Sequence, residues 1–400
     1  MNHNIRRLYN IANANSRLII GLMSGTSVDG LDVALCQCSG HGHHTTIELL
    51  HFETVSYGDV YRNHIKSVFS KHEADLEKVS LLNGWVAGQH ASIVLSCLKK
   101  WGVSPATVNL IASHGQTIYH APQQLHGNSE FGNATLQIGD GDHLAVKTGI
   151  ITISDFRQKH IAAGGEGAPL AVYGDYFIFS KAGENRIMLN IGGIANFTFL
   201  PGNLQANEVF STDTGTGNTL MDAYVQQHFP SKYFDQDAAL ARQGTVHEGL
   251  LQQLMANDFF DRGFPKTTGP ELFNLAYLDK AKTAAGITAI SHADTMATLS
   301  AFSADTITNA IKQSISRLQD VVIYSSGGGM YNPLLMDRIQ QALPACTFKT
   351  TAALSIHPDA KEAVLFALLA NETVAGGHTL TGDGSSAIPF VCMGKISFPS

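Results

Sequence analysis

The chain of 400 residues lacks several features that would indicate particular classes of protein. No apolar run approaches the ~18 residues that a membrane helix needs, and the longest runs, at 18–23 and 363–370, are short. Lys and Arg form no cluster, and the formal net charge is −7, which argues against a nucleic-acid surface. We therefore expect neither a membrane nor a nucleic acid as a partner.

Cysteine is also scarce, with five residues scattered along the chain. Cys36 and Cys38 lack the second cysteine pair that a structural zinc site would need, and the histidines show no zinc-site spacing. Free thiols in a reducing compartment are the simpler interpretation. The first 17 residues contain three arginines but no long apolar stretch, so they predict a disordered or loosely helical extension rather than a signal peptide. We expect a cytoplasmic protein.

The residues that are present describe an ordinary folded chain, with 44% hydrophobic and 15% charged residues. The length exceeds what one core usually organises, so we expect two domains. A strand meander with a glycine-rich turn occurs twice, around residues 18–56 and 187–213, and predicts two α/β domains of related topology. The predicted segments are an extension over 1–17, a first domain over 18–155 with part of 375–400, and a second domain over 156–374.

The first glycine-rich turn spans residues 25–32 and leads into strand-like sequence. Glycine lets the backbone approach phosphate oxygens, to which amides and hydroxyls donate hydrogen bonds. Walker and Rossmann loops open a helix, so neither applies here. A plain Asp-Gly hairpin turn explains this segment equally well. The candidate phosphate-binding residues are Gly25, Thr26, Ser27, Val28, Asp29, Gly30, Leu31 and Asp32, of which Asp29 and Asp32 are candidate Mg²⁺ ligands.

A second glycine-rich segment spans residues 213–222, and a helix is predicted to begin within it at Asn218. Asp213 ends a strand, where it could act as a general base toward an attacking oxygen, although a role as a brace of the turn is the alternative. The start of a helix favours an anion, which makes Gly215, Gly217 and Asn218 candidate phosphate-binding residues. Asp-Thr-Gly also occurs in aspartic proteases, but those enzymes need two such carboxylates, and this chain has one such tripeptide.

Two further glycine turns, at 190–196 and 326–330, also follow strands. The first could contact phosphates, and the second could let a nucleotide base or ribose lie against backbone; a hairpin and a strand-to-helix turn are the alternatives. Their candidate residues are Gly192, Gly193, Gly327, Gly328 and Gly329. Loops of this kind, paired across a cleft, can hold a polyphosphate and its metal ion, so together they predict an ATP-dependent phosphotransferase.

Several isolated polar residues lie beside apolar runs. Sugar sites need such mixed donors and acceptors, and an arginine can hold a carboxylate through a bidentate contact. Taken singly, each is better explained by an ordinary loop or surface position. These residues are His114, Gln116, Thr117, Asp155, Arg157 and Glu362.

Taken together, the motifs resemble those of the anhydro-N-acetylmuramic acid kinase family. They follow one another along nearly the whole chain after residue 17. Their positions are 21–32, 113–117, 137–140, 154–157, 163–169, 190–196, 213–222 and 361–363. One departure is Thr216, which stands where the family has proline, and this exchange should leave Asp213 in place.

The resemblance implies two actin/hexokinase-like (ribonuclease H-like) α/β domains around a central cleft that binds ATP and Mg²⁺. It implies hydrolytic opening of 1,6-anhydro-N-acetylmuramic acid with phosphorylation of O6, which gives N-acetylmuramic acid 6-phosphate and ADP in peptidoglycan recycling. Asp213 would then deprotonate the attacking water, and the six isolated polar residues would bind the sugar, the small-molecule partner.

Two other functions use the same residues. A kinase of another sugar would use Asp213 to activate a hydroxyl group instead of water. A non-catalytic ATP-driven switch on the same fold would turn over ATP slowly, without stimulation by a sugar. A homodimer is a further candidate assembly.

Overall fold

The computed structural model describes residues 1–167, 170–230, 232–315, 320–354, 360–376 and 391–400. Contacts divide the chain into two compact units: unit 1 comprises Met1–Ile178 and Asp359–Ser400, and unit 2 comprises Phe179–Pro358. The strands are β1 (Ser16–Ser24), β2 (Gly30–Ser39), β3 (Thr46–Ser56), β4 (Leu110–Ala121), β5 (Ala134–Ile138), β6 (Ile151–Ser154), β7 (Asn185–Ile191), β8 (Ile194–Leu200), β9 (Phe210–Thr216), β10 (Val321–Ser326), β11 (Thr347–Thr350) and β12 (Lys395–Ser397). The helices are α1 (His3–Ala12), α2 (Asp59–Lys66), α3 (Leu76–Trp101), α4 (Gln123–His126), α5 (Gly141–Thr148), α6 (Phe156–Ala162), α7 (Ala171–Phe179), α8 (Thr219–His228), α9 (Glu248–Met255), α10 (Asp258–Asp261), α11 (Leu275–Ala284), α12 (His292–Ile315), α13 (Pro333–Ala342) and α14 (Lys361–Ala375).

Unit 1 is built on a sheet that has seven strands in the described part of the chain. Its strand order is β12-β6-β4-β1-β2-β3, and β5 pairs with β4. β1, β2 and β3 form the predicted antiparallel meander, whereas β1, β4 and β6 run parallel. Because parallel strands end at the same edge, the carboxyl ends of β1 and β6 and the middle of the longer β4 lie together.

Unit 2 repeats this arrangement with the strand order β11-β10-β7-β8-β9. β7, β8 and β9 form a second antiparallel meander, and β7, β10 and β11 run parallel. In each sheet the first strand of the meander lies between its second strand and a parallel strand from later in the chain. The predictions of a mixed α/β fold and of a repeated meander are confirmed.

Helix α14 packs directly against β1, β2 and β4 of unit 1. A Cβ atom at Gly21 would lie 1.8 Å from the carbonyl oxygen of Ala363, so glycine allows this close approach of helix and strand. The approach brings the first turn of α14, which contains Glu362, next to the carboxyl half of β1.

The first boundary between the units, at 178/179, lies later in the chain than the predicted 155/156, and the second, at 358/359, lies earlier than the predicted 374/375. Helix α6 contacts β5, and α14 covers the first sheet, so both belong to unit 1. Periodicity in the sequence indicates a helix but does not indicate which sheet the helix covers. Residues 377–390 of the predicted C-terminal contribution, and residues 168 and 169 of motif 163–169, lie outside the described residues.

The predicted loose extension over 1–17 contains helix α1, which packs against α14. Ile11 is buried, and Asn4 Nδ2 donates a hydrogen bond to the carbonyl of Pro399 at 2.9 Å. Arg17 is only 2% exposed, and its Nε donates to Asn371 Oδ1 at 2.7 Å. This segment is therefore part of unit 1. Across the described residues, no helix has both the length and the apolarity needed to cross a membrane.

Candidate active site

The turn that joins β1 to β2 exposes polar groups above a buried base. Thr26 and Ser27 are exposed, whereas Val28 and Leu31 point into the core of unit 1. Val28 has φ +55°, a strained conformation for a β-branched residue, and its amide donates to the carbonyl of Gly25 at 3.3 Å. Strain of this kind concentrates at functional turns. Val28 and Leu31 can contact a ligand only through their main chain.

Two carboxylates flank this turn. Asp29 is exposed, and its Oδ1 accepts hydrogen bonds from Ser27 Oγ at 2.9 Å and from the amide of Gly30 at 3.0 Å. Asp32 Oδ1 accepts a hydrogen bond from Thr54 Oγ1 at 2.5 Å. No group of three or more His, Cys, Asp or Glu within the described ranges could hold a metal by itself. A nucleotide-bound Mg²⁺ needs only one or two protein carboxylates, so Asp29 fits such an ion.

A buried chain of hydrogen bonds fixes the turn from below. Gln116 Nε2 donates to the carbonyl of Gly25 at 3.1 Å, and Gln116 Oε1 accepts from Ser24 Oγ at 2.6 Å. Ser24 Oγ accepts from the Tyr57 hydroxyl at 2.8 Å. The Tyr57 proton is thereby used, so His90 Nε2, at 3.0 Å, must donate to Tyr57. Burial lowers the pKa of His90 to about 4 and keeps the ring neutral.

The buried His114 and the half-buried Arg157 form a hydrogen-bonded pair in unit 1. Arg157 Nε donates to His114 Nε2 at 2.8 Å, and an arginine cannot accept, so His114 carries its proton on Nδ1 and donates it to the carbonyl of Gly115 at 3.0 Å. Burial and the positive charge of Arg157 hold the pKa of His114 well below its usual value. Arg157 Nη1 also donates to the carbonyl of Gly167 at 2.6 Å. These contacts fix the orientation of the guanidinium group.

Glu362 supplies a negative charge close to the guanidinium group of Arg157. Its side chain is accessible to solvent, but protein surrounds it closely, and this desolvation raises its pKa. Arg157 and Lys361 oppose the rise, and Asp32 adds to it. The structure thus brings Glu362 close to both Arg157 and the end of the first turn.

The remaining two residues predicted to bind a sugar have partners of their own. Asp155 follows β6, and its Oδ2 pairs with Lys395 Nζ at 2.5 Å. Thr117 Oγ1 accepts a hydrogen bond from Gln137 Nε2 at 3.1 Å. Both lie near the same edge of the sheet, but in the described structure neither forms a hydrogen bond with His114 or Arg157.

In unit 2, main-chain hydrogen bonds join the turn after β7 to the start of α8. The carbonyl of Gly192 accepts from the amide of Asn218 at 2.9 Å, and the carbonyl of Gly193 accepts from the amides of Gly217 at 2.8 Å and Thr219 at 3.1 Å. These three amides are therefore engaged within the protein. An anion at the start of α8, as the sequence predicts, must rely on other donors, such as the amides of the turn itself.

The third glycine segment of unit 2 packs onto this turn. A Cβ atom at Gly327 would lie 2.7 Å from the carbonyl oxygen of Ile191, and one at Gly329 would lie 2.2 Å from Ile191 Cγ2. A Cβ at Gly328 would lie 3.8 Å from Asn218 Nδ2. The glycine segments after β7, β9 and β10 thus converge at one edge of the second sheet.

Asp213 lies on β9 at this edge, with Gly215 two residues further along the strand at φ +142°. Burial raises the pKa of Asp213 to about 6, a hydrogen bond from the amide of Thr268 to Oδ2 at 2.8 Å opposes the rise, and Glu271 adds to it. A half-buried carboxylate with such a pKa is suited to accept a proton near neutral pH.

Sequence reasoning missed the segment that contacts Asp213. Lys266 and Thr268 lie more than fifty positions further along the chain, in a loop rich in glycine and proline at 263–270. The sequence indicates a loop here, because threonine, glycine and a single lysine lie between two segments with helical periodicity. It does not indicate which strand the loop contacts.

Comparisons with known proteins agree with these features. A family model described as anhydro-N-acetylmuramic acid kinase matches residues 17–398. Proteins of that name from Pseudoalteromonas atlantica and Pseudoalteromonas translucida are 58% and 55% identical over 400 and 399 residues, and each comparison covers 100% of both chains. One from Caldanaerobacter subterraneus subsp. tengcongensis is 39% identical over 395 residues, which cover 98% of this chain and 99% of that relative. The resemblance seen in the motifs is thereby confirmed, and the chain belongs to the anhydro-N-acetylmuramic acid kinase family.

Proposed function

We propose that this chain is an ATP-dependent kinase that opens 1,6-anhydro-N-acetylmuramic acid with water and phosphorylates its O6. The products are N-acetylmuramic acid 6-phosphate and ADP, and the process served is the recycling of cell-wall fragments. Membership of the family supports the choice of sugar. A cytoplasmic location is part of the proposal, because ATP is available there and all five cysteines are free thiols.

The observation that carries the proposal is the environment of Asp213. Its raised pKa of about 6 leaves it ionised at neutral pH and still basic enough to accept a proton. Asp213 takes a proton from water as the water oxygen bonds to the anomeric carbon. The bond from that carbon to O6 breaks, O6 takes the γ-phosphoryl group, and ADP leaves. Asp213 then releases the proton to solvent, so that the reaction yields one proton beside its two products.

The glycine turns supply donors for the nucleotide. We assign the exposed turn at 25–29 and the turn at 192–193 to the phosphates, and the loop at 327–329 to the base or ribose, because these segments place main-chain groups at the ends of the parallel strands. Mg²⁺, when bound, would neutralise charge on the phosphates, and Asp29 is the carboxylate that we assign to it.

The sugar is assigned to the polar group of unit 1. Arg157 is oriented by His114 and Gly167, and Glu362 lies near it, so an anionic group and a hydroxyl of one ligand could be bound together. Gln116 is held by Ser24 and the turn. To bind the sugar, Thr117 would have to share or exchange its hydrogen bond with Gln137, and Asp155 its ion pair with Lys395.

A coupled assay of ADP release tests the function. With anhydro-N-acetylmuramic acid, the wild-type protein should turn over rapidly, and Asp213→Asn should lower kcat by about 10³-fold, the range expected for the loss of a general base. Asp279→Asn, the same change at an exposed position of α11, is the matched control and should stay within twofold of wild type.

Isotope labelling separates the alternatives. In ¹⁸O water, the proposed reaction places solvent oxygen on the anomeric carbon, provided that the product is quenched before that oxygen exchanges spontaneously. A kinase of another sugar would give no label there, and an ATP-driven switch would show slow ATP turnover that the sugar does not stimulate. Either result would overturn the proposal.

A further inference from the structure

Asp213 is held by a segment that is distant in sequence and outside the glycine motifs. The amide of Asp213 donates to the carbonyl of Lys266 at 2.9 Å, and the amide of Thr268 donates to Asp213 Oδ2 at 2.8 Å. The neighbouring Thr212 Oγ1 accepts from the amide of Lys266 at 3.0 Å. Residues 266–268, here named the 266–268 segment, therefore run alongside β9 and provide a hydrogen-bond donor to the carboxylate.

The side chain of Lys266 fixes this segment from its other side. Lys266 is 8% exposed, and its Nζ donates to the carbonyls of Phe259 at 3.0 Å and Phe260 at 3.1 Å, at the end of the short helix α10. Nζ also lies 4.7 Å from the ring centre of Phe259 and 5.3 Å from that of Phe264. A buried cation is costly unless its surroundings compensate for lost water, and these carbonyls and rings supply that compensation.

We propose that Lys266 is a positioning residue for the general base: by tying the 266–268 segment to the end of α10, it keeps the amide of Thr268 on the carboxylate of Asp213. The role rests on the proposed function of Asp213 as the base. Nζ itself is bonded to main-chain carbonyls, so Lys266 acts through the segment and touches no reacting atom.

The direction of the effect follows from charge. An amide hydrogen bond favours the ionised carboxylate, whereas burial and the negative charge of Glu271 favour the neutral form. For Lys266 itself, burial lowers the pKa, the negative charge of Asp261 raises it, and the positive charge of Arg262 lowers it. If the segment loosens, Asp213 loses its favourable donor while burial and Glu271 remain. Its pKa then rises. As the pH is lowered, the variant therefore loses activity at a higher pH than the wild type does.

Lys266→Met is the decisive variant, because methionine is unbranched and only one atom shorter, so it can keep contact with the aromatic rings while it removes the charge and the hydrogen-bond donor. We expect kcat/KM for the sugar to be about fivefold below wild type at pH 6 and to approach wild type near pH 8.5, as for a pKa raised by about one unit. Lys280→Met, at an exposed position of α11, and Thr267→Ala, an exposed residue of the segment itself, are the controls and should keep the wild-type pH profile.

Carbon-13 NMR of protein labelled at aspartate carboxyls gives a second readout that needs no activity. The Asp213 resonance, identified by its absence in Asp213→Asn, should titrate at a higher pH in Lys266→Met than in wild type. Equal titration in the two proteins would overturn the inference, whether or not either protein phosphorylates the sugar. If the wild type is inactive, the proposed function fails and the NMR titration still decides the positioning role. If Lys266→Met does not fold, Lys266→Gln, which can still donate to one carbonyl, should show a smaller shift in the same direction.

Discussion

Two turns at equivalent positions, one in each sheet, are held by different kinds of contact. The turn at 25–29 follows β1 and is fixed by side chains: Gln116 bonds to its first carbonyl, with Ser24 and Tyr57 behind it. The turn at 192–193 follows β7 and is fixed by main-chain hydrogen bonds to the start of α8. The same strand topology therefore supports two glycine turns, one whose stability depends on particular side chains and one whose stability depends on main-chain contacts.

This difference explains why the repeat is visible in the architecture but not in the residues. A turn held by side chains needs particular hydroxyls and amides at particular positions, and glycine matters less. A turn held by main-chain contacts needs glycine where backbones touch, and its side chains are free to vary. We therefore expect unit 1 to be sensitive to the loss of polar groups and unit 2 to be sensitive to an added Cβ atom.

Acid should separate the two units most strongly. In unit 1, His90 has a folded pKa of about 4 against 6.5 in a free histidine. A lowered histidine pKa gives stability that is present above pH 6.5 and is lost as the pH falls toward 4; the shift is equivalent to about 3 kcal/mol, with His114 adding in the same direction. In unit 2, Asp213 and Asp222 each have a raised pKa of about 6, so the destabilisation that they cause at neutral pH is relieved on acidification.

Hydrogen exchange followed by mass spectrometry can test this contrast between pH 7 and pH 4.5, after correction for intrinsic exchange rates. Peptides from α3 and β2 should lose protection as the pH falls, whereas peptides from β9 and α8 should keep theirs. His90→Gln, which removes the titrating group, should flatten the response of unit 1. A parallel loss of protection in both units of the wild type would contradict the assignment.

An added methyl group should distinguish the two turns next. A Cβ atom at Gly217 would lie 2.3 Å from the carbonyl oxygen of Gly192, a main-chain atom that cannot rotate away, whereas one at Gly25 would lie 3.6 Å from Ser27 Oγ. We expect Gly217→Ala to lower the free energy of unfolding by about 2–3 kcal/mol, as measured by urea denaturation. Gly25→Ala should cost less than about 1 kcal/mol.

The control for this comparison is Gly263→Ala in unit 2, where no heavy atom lies within 4 Å of the new Cβ. Its stability should stay close to wild type. If Gly217→Ala were as mild as Gly263→Ala, the turn at 192–193 would not depend on close backbone contact, and the distinction between the two turns would fail.

The parts of the fold that could be predicted are those with local signals. Alternating apolar residues and glycine turns predicted both meanders, and Asn218 was correctly placed where α8 begins. The engagement of the α8 amides by Gly192 and Gly193 could not be predicted, because the acceptors come from a turn some twenty-five residues away. The contact between Lys266 and Asp213 is hidden for the same reason, since it depends on how a loop returns to a strand.

The smallest effect that we predict is the one that isolates the side-chain support of the turn at 25–29. Tyr57→Phe removes the hydroxyl that joins His90 to Ser24, while the ring can keep its stacking on Tyr61, whose centre lies 3.7 Å away. It should cost about 1–2 kcal/mol of unfolding free energy and raise KM for ATP several-fold, because Ser24 and Gln116 lose their fixed orientation beneath the turn. Tyr61→Phe is the comparison variant: its hydroxyl also reaches His90, at 3.2 Å, and interacts with Ser24 and Tyr57, but the 2.8 Å hydrogen bond to Ser24 Oγ comes from Tyr57. Stability should then fall in both variants, and KM for ATP should rise more in Tyr57→Phe than in Tyr61→Phe. If KM rose equally in both, general loosening of the core would explain the result, and the turn of unit 1 would not depend on its chain of side chains.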